Sequence, residues 1–235
     1  MTTPARRHFQ RVTAAQRTAV DVPEQHINAN AYELMLVKLA QDKRSLKDIQ
    51  SIEKKAEFKR QILPDYDAWV SGALANAAGV QDDVLTTVMV WHIDAGLLQK
   101  AVDIARYVIR HKLVLPDQYK RSAGCLLAEE FADMSLKAIA ATPPNADDAE
   151  RLAVLLLDIA DLTAEQDMPD EVRAKLYKAI GYAQRCAGDL ALAVASLQRA
   201  FELHDKVGVK RDIELLERDI KNSAAGAGNP PGAAG

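Results

Sequence analysis

From about residue 30 to residue 221, apolar side chains recur three and four positions apart almost everywhere along the chain. That is the spacing of a helix with one buried face, and it predicts an all-α protein. The one stretch of strand-like composition is 84–93, rich in Val and Thr, and its length and neighbours favour a buried helix. Tyr32, Met35, Leu36 and Leu39 form a first stripe. Ser45 is placed to cap a second helix reaching about Gln61, with Leu46, Ile49, Ile52 and Ala56 on one face. Pro64 breaks it, and Asp65 caps a third helix around Trp69, Val70, Ala73 and Leu74. Gln81-Asp82-Asp83 put acid at the start of a fourth, where the helix dipole favours it, and that helix ends near Ala95-Gly96. A fifth covers about 97–112, and others follow at roughly 121–141, 146–165, 170–187, 190–206 and 209–221.

The two ends break the pattern. Residues 1–28 lack sustained periodicity and contain Pro4 and Pro23, which predicts a flexible arm. Residues 222–235 hold Gly, Ala, Pro, Asn and Ser without a charge, which predicts a disordered tail. Between them lies an internal echo at an offset of 92: Ala95-Gly96-Leu97-Leu98-Gln99-Lys100-Ala101-Val102 against Ala187-Gly188-Asp189-Leu190-Ala191-Leu192-Ala193-Val194. In the second copy Tyr177, Ile180, Gly181, Gly188, Ala193, Leu197 and Ala200 fall at the large and small positions of a tetratricopeptide repeat. The first copy fits less well, with Met89 at a small-residue position. Residues 80–221 therefore read as stacked αα-hairpins of tetratricopeptide type, with an irregular helical bundle as the alternative.

Charge separates the halves of a chain whose net charge is only −3. Residues 1–60 hold twelve Lys/Arg against seven Asp/Glu, and the remainder eighteen against twenty-six. Arg6, Arg7, Arg11 and Arg17 lie in a stretch without acid, whereas 145–171 hold nine acids and only Arg151. Such asymmetry points to an anionic partner at the N-terminal end, or to an ordinary solvated surface with a soluble terminus. On a helix starting at Ser45, Lys47 and Lys54 share a direction away from the apolar stripe, with Lys43 close to the same line and Phe58 nearby. With Arg44 and Lys55 they form a basic ridge suited to phosphate contacts, diluted by Asp48, Glu53 and Glu57. A turn at Asp42-Lys43-Arg44 would join it to the preceding helix, loosely like a helix-turn-helix. The expected organisation is a basic arm over 1–28, a basic helical DNA-binding region over 29–79, an oligomerisation or partner region over 80–221, and the tail.

Catalytic signals are sparse. There is no GxGxxG, Walker loop, HExxH or GxSxG. Asp82, Asp83 and His92 are the only compact His/carboxylate group, but the aspartates project about 100° apart and His92 lies three turns on. A metal-dependent nuclease needs several carboxylates converging on its cations, so capping explains the aspartates better and packing beside Trp91 explains the histidine. No metal site or cofactor is expected, Mg²⁺ entering only if the protein is itself a nuclease. Cys125 and Cys186 form no CxxC pair, which fits a reducing compartment and no structural zinc. The apolar run 152–157 stops at Asp158, and the first residues lack an apolar core, so neither a membrane span nor a signal peptide is expected.

Several segments together carry a family resemblance. They are Tyr32-Glu33-Leu34-Met35-Leu36-Val37-Lys38-Leu39-Ala40, Asp42-Lys43-Arg44-Ser45-Leu46-Lys47, Leu63-Pro64, Gln81-Asp82-Asp83-Val84-Leu85 and Ile104-Ala105-Arg106-Tyr107. Asp167-Met168-Pro169-Asp170-Glu171-Val172-Arg173-Ala174-Lys175-Leu176, Leu197-Gln198-Arg199-Ala200 and Glu214-Leu215-Leu216-Glu217-Arg218 continue it. In this order they resemble the small terminase subunits of peduovirus-type temperate tailed phages, over about residues 4–221. The resemblance implies a subunit that recognises the cohesive-end region of double-stranded phage DNA. Such subunits pass that DNA to the large ATPase subunit for packaging into proheads, in the host cytoplasm during phage assembly. It also implies a homo-oligomer. The family is often described as the endonuclease subunit, but no catalytic motif carries over to these residues. Relatives often end in a Lys/Arg-rich tail, unlike 222–235 here, which shifts the burden of DNA binding to the N-terminal half. Three classes stay open: a DNA-recognition adaptor, a metal-dependent endonuclease, and a tetratricopeptide adaptor binding only protein.

Overall fold

A computed structural model describes residues 3–17, 25–76, 79–116 and 119–227. Among them are eleven α-helices, two single 3-10 turns and no strand. The helices form two compact units, 1–123 and 124–235. No helix among the described residues is long and apolar enough to cross a membrane.

The first unit contains α1 (Pro4–Arg17), α2 (Gln25–Asp48), α3 (Ile52–Ile62), α4 (Asp67–Asn76), α5 (Asp83–Asp94) and α6 (Leu98–Arg110). Helix α1 departs from the expected flexible arm. It turns Gln10 and Thr13, both buried, inward, and the Gln10 amide reaches the Met35 sulfur at 3.3 Å. Phe9 and Val12 face outward, so its pattern is polar-in and apolar-out. The expected turn at Asp42-Lys43-Arg44 is also absent, because α2 runs through it. Its inner face continues as Ala31, Met35, Leu39, Asp42 and Leu46 at helical spacing. Asp42 holds its place on that face by accepting a 2.6 Å hydrogen bond from the hydroxyl of buried Tyr66, and Lys38 pairs with it at 2.8 Å. Ser45 is therefore mid-helix, its hydroxyl donating to the Gln41 carbonyl. The break comes at 49–51, where Ser51 caps α3 by accepting from the Lys54 N–H. Ile52, assigned to a buried stripe from the sequence, is consequently 86% exposed. Pro64 lies in a 3-10 turn, Asp65 ends that turn, and α4 starts only at Asp67.

Residues 84–93 are helical and buried throughout, as their context suggested. Helix α5 is closed by Gly96 at φ +74°, with the Leu97 N–H reaching the His92 carbonyl at 2.9 Å. The second copy of the echo repeats this corner. Gly188 has φ +93°, and the Asp189 N–H reaches the Gln184 carbonyl at 3.0 Å. Both are six-to-one caps that require a left-handed residue, so the echo marks two helix–turn–helix corners of the same build.

The second unit contains α7 (Ala123–Ala141), α8 (Ala146–Leu162), α9 (Asp170–Ala187), α10 (Leu190–Leu203) and α11 (Lys210–Ala227). Helix α11 extends into the expected tail as far as Ala227, and 228–235 lie outside the described residues. Asn145 caps α8 by accepting from the Asp148 N–H at 2.9 Å. The Arg173 guanidinium closes the other end, donating to the carbonyls of Thr163 and Gln166 at 3.2 and 2.8 Å. Helices α9 and α10 fold back on each other at Gly181, where a Cβ would lie 2.7 Å from both Cγ and Cδ2 of Leu197. Gly181→Val should therefore destabilise the protein by about 1–3 kcal/mol. Urea denaturation should show this as a lower midpoint, with Leu197→Ala recovering part of the loss in the double variant.

Candidate nucleic-acid interface

The end of α2, the length of α3 and the last turn of α5 enclose a cavity of about 400 Å³. Lys43, Arg44, Leu46 and Lys47 line it from α2, Lys55 and Lys59 from α3, and Trp91 from α5. Helical spacing explains the arrangement: 43 and 47 on one helix and 55 and 59 on the other are each four residues apart, on one face of their turn. Helix α3 has no buried residue. Polar anchors hold it, with Lys59 paired to Asp94 and the Arg60 side chain donating to the Ala95 carbonyl at 2.8 Å.

Lys43, Arg44, Lys47 and Lys55 make no ion pair with any described residue. Partial burial pushes the Lys43 ammonium below the ordinary lysine value, against the opposing charge of Asp83. A half-buried cation without a paired acid gains from an entering anion, and several around one concavity suit the oxygens of phosphate. Of the residues expected on a basic ridge, the structure gathers Lys43, Arg44, Lys47 and Lys55, but across two helices. Lys54 is exposed and does not line the cavity. Arg6, Arg7 and Arg11 are exposed on α1, outside the lining, and the Arg17 side chain is outside the described residues. Lys59 and Trp91 were missed. The 55/59 spacing was readable, but only once the break at 49–51 is known.

Asp82, Asp83 and His92 do not converge. Asp82 caps α5, one carboxylate oxygen accepting from the N–H groups of Val84 and Leu85 at 2.9 and 3.0 Å. Its other oxygen accepts from the Trp69 indole at 2.9 Å. Asp83 is exposed and bonded to Gln81. His92 is buried with Nδ1 2.8 Å from the Val88 carbonyl, and Nε2 has no hydrogen-bond partner among the described residues. Among the described residues no group of three or more His, Cys, Asp and Glu could hold a metal ion. The acids of 147–171 stay mostly exposed, and the first of them, Asp147 and Asp148, open α8 where the helix dipole favours them.

Comparison with known proteins adds the following. The sequence profile of the family described as "Phage small terminase subunit" matches residues 36–171. The chain is 46% identical over 225 residues to the "Terminase, endonuclease subunit" of Escherichia phage P2, covering 94% of this chain and 87% of that protein. No solved structure matches.

Burial depresses the His92 pKa below its ordinary 6.5. The unfolded chain therefore binds this proton first as pH falls. Stability from the neutral ring is intact above about pH 6.5 and is lost as pH drops toward the folded-state value, with a limiting slope of about 1.4 kcal/mol per pH unit. His92→Gln should flatten that component relative to wild type in urea midpoints measured between pH 7.5 and 5.

Proposed function

Because the chain belongs to the phage small terminase subunit family, we propose that it binds the cohesive-end region of phage DNA and presents it to the large ATPase subunit. Its role is in phage DNA packaging. The observation that carries DNA binding is the α2–α3–α5 cavity, where Lys43, Arg44, Lys47 and Lys55 lie without an acid partner among the described residues. Backbone phosphates would enter against these cations, giving affinity with a steep salt dependence. Base discrimination would come from neighbouring contacts or from DNA shape. Lys54 and the α1 arginines stand as further backbone contacts outside the cavity.

The second unit is proposed to meet protein, either the large subunit or another copy, since its acidic surface disfavours DNA. The α5–α6 and α9–α10 pairs with their matching glycine corners support hairpins of tetratricopeptide type, a scaffold used for binding. The protein would work in the host cytoplasm during phage assembly and need no cofactor of its own.

A nuclease is the second reading, favoured by the name of the phage P2 relative. It would need Mg²⁺ or a similar cation, and the described residues do not fit one: Asp82 is occupied as a cap and His92 by the Val88 carbonyl. We therefore assign cutting to the large subunit, directed by this one. Purified protein alone should leave cohesive-end DNA uncut in Mg²⁺ or Mn²⁺, and specific cutting abolished by Asp83→Asn or His92→Gln would overturn this.

Replacing Lys43, Lys47 and Lys55 by Ala should weaken DNA binding and reduce the salt slope of log K by about 0.9 for each phosphate no longer neutralised. Helicity should survive, because Ala is the better helix former. A salt titration of cohesive-end duplex on wild type and triple variant reads this directly. An unchanged slope in a folded variant would move the DNA site elsewhere.

A further inference from the structure

Two helices of this chain expose opposite versions of one surface. On α8 the inner face, with Ala149, Ala153, Leu156 and Ile159, is buried. Its outer face runs Asp147, Glu150, Val154, Leu157 and Asp161 at alternating three- and four-residue spacing, with Val154 61% and Leu157 39% exposed. Two adjacent apolar side chains thus stand in water between carboxylates. On α1, Gln10 and Thr13 face inward, and the exposed side carries Phe9 at 47% and Val12 at 36%, one turn apart. Around them Arg6, Arg7 and Arg11 are exposed, and the helix contains no acid. A phosphate backbone gives no reason for an exposed Phe–Val pair among arginines, whereas a protein partner does.

We propose that α1 of one copy docks against the outer face of α8 of a second copy, with Phe9 and Val12 against Val154 and Leu157 and the arginines against Glu150 and Asp161. The contact is heterologous: each copy offers a basic face to one neighbour and an acidic face to another. Such contacts propagate into closed rings or open chains. One helix-on-helix contact is small, so a closed assembly would gain strength by repetition. Opposite charge would select the pairing and reject contacts of like faces.

This assignment of surfaces rests on the self-association proposed above, and a pair of charge-reversed full-length chains separates the two. Arg7→Glu with Arg11→Glu reverses α1, and Glu150→Lys with Asp161→Lys reverses α8. All positions are exposed, so circular dichroism should match wild type. In sedimentation equilibrium at fixed salt, wild type should self-associate and each variant should be weakened by more than about tenfold. Mixed in equal amounts, the two should form a one-to-one heterodimer, because one intact basic face and one intact acidic face remain. Should a reversed chain misfold, Val154→Ser with Leu157→Ser tests the same face and should give the same loss of assembly. A wild type that stays monomeric would sink self-association altogether. Variants that assemble like wild type, or a mixture that stays monomeric, would overturn only the assigned surfaces. Normal assembly of the α1 variant with loss of DNA binding would make α1 a DNA contact and overturn them equally.

Discussion

The first unit depends on a single buried carboxylate. Asp82 accepts two backbone N–H groups at the start of α5 and the Trp69 indole from α4. Trp69 is fully buried and stacks on Tyr32 of α2 with ring centroids 5.8 Å apart. One residue thus starts the most buried helix and fixes the helix and aromatic layer beside it. Burying a carboxylate is tolerable only when its lone pairs are taken up, as they are here. The same arrangement recurs a few turns away. Asp42 accepts the hydroxyl of Tyr66, which is held protonated by burial and by that carboxylate, and Tyr66 meets Trp91 edge-on at 6.0 Å. Trp91 in turn forms part of the basic cavity. The position of the cavity therefore follows from two acid–aromatic bonds in the core.

Those bonds also explain what the sequence could and could not reveal. Helices beyond residue 97 were legible within a few residues, because Gly96, Gly188 and Asn145 terminate or cap them by local chemistry. Asp82 was legible as a cap for the same reason. The continuity of α2 was not, since Asp42 reads as a polar break until its partner Tyr66, 24 residues away, is known. Losing that continuity moved the cap from Ser51 to Ser45 and put Lys54, instead of Lys55 and Lys59, in line with Lys43 and Lys47. Helix α1 was missed because Gln10 and Thr13 occupy its inner face and Phe9 its outer one, the inverse of the usual pattern.

The uneven charge of the sequence becomes spatial in the fold. In the first unit, unpaired lysines collect where α3 is held by polar contacts alone, so the cavity wall stays hydrated and accessible to an anion. In the second unit, α8 to α11 bury small residues at close helix contacts and leave carboxylates outside. A subunit that must hold DNA and meet protein partners keeps the two tasks on surfaces of opposite sign. Strong DNA binding would arise from repetition of a modest cavity across an assembly.

Lysine footprinting tests the cavity most directly. The full-length protein is acetylated with and without cohesive-end duplex at low salt, and modification is read residue by residue by mass spectrometry. Lys43, Lys47 and Lys55 should be protected by DNA, while lysines of the second unit such as Lys206 and Lys210 keep their reactivity. Equal modification of the three cavity lysines under conditions where DNA is fully bound would contradict the account.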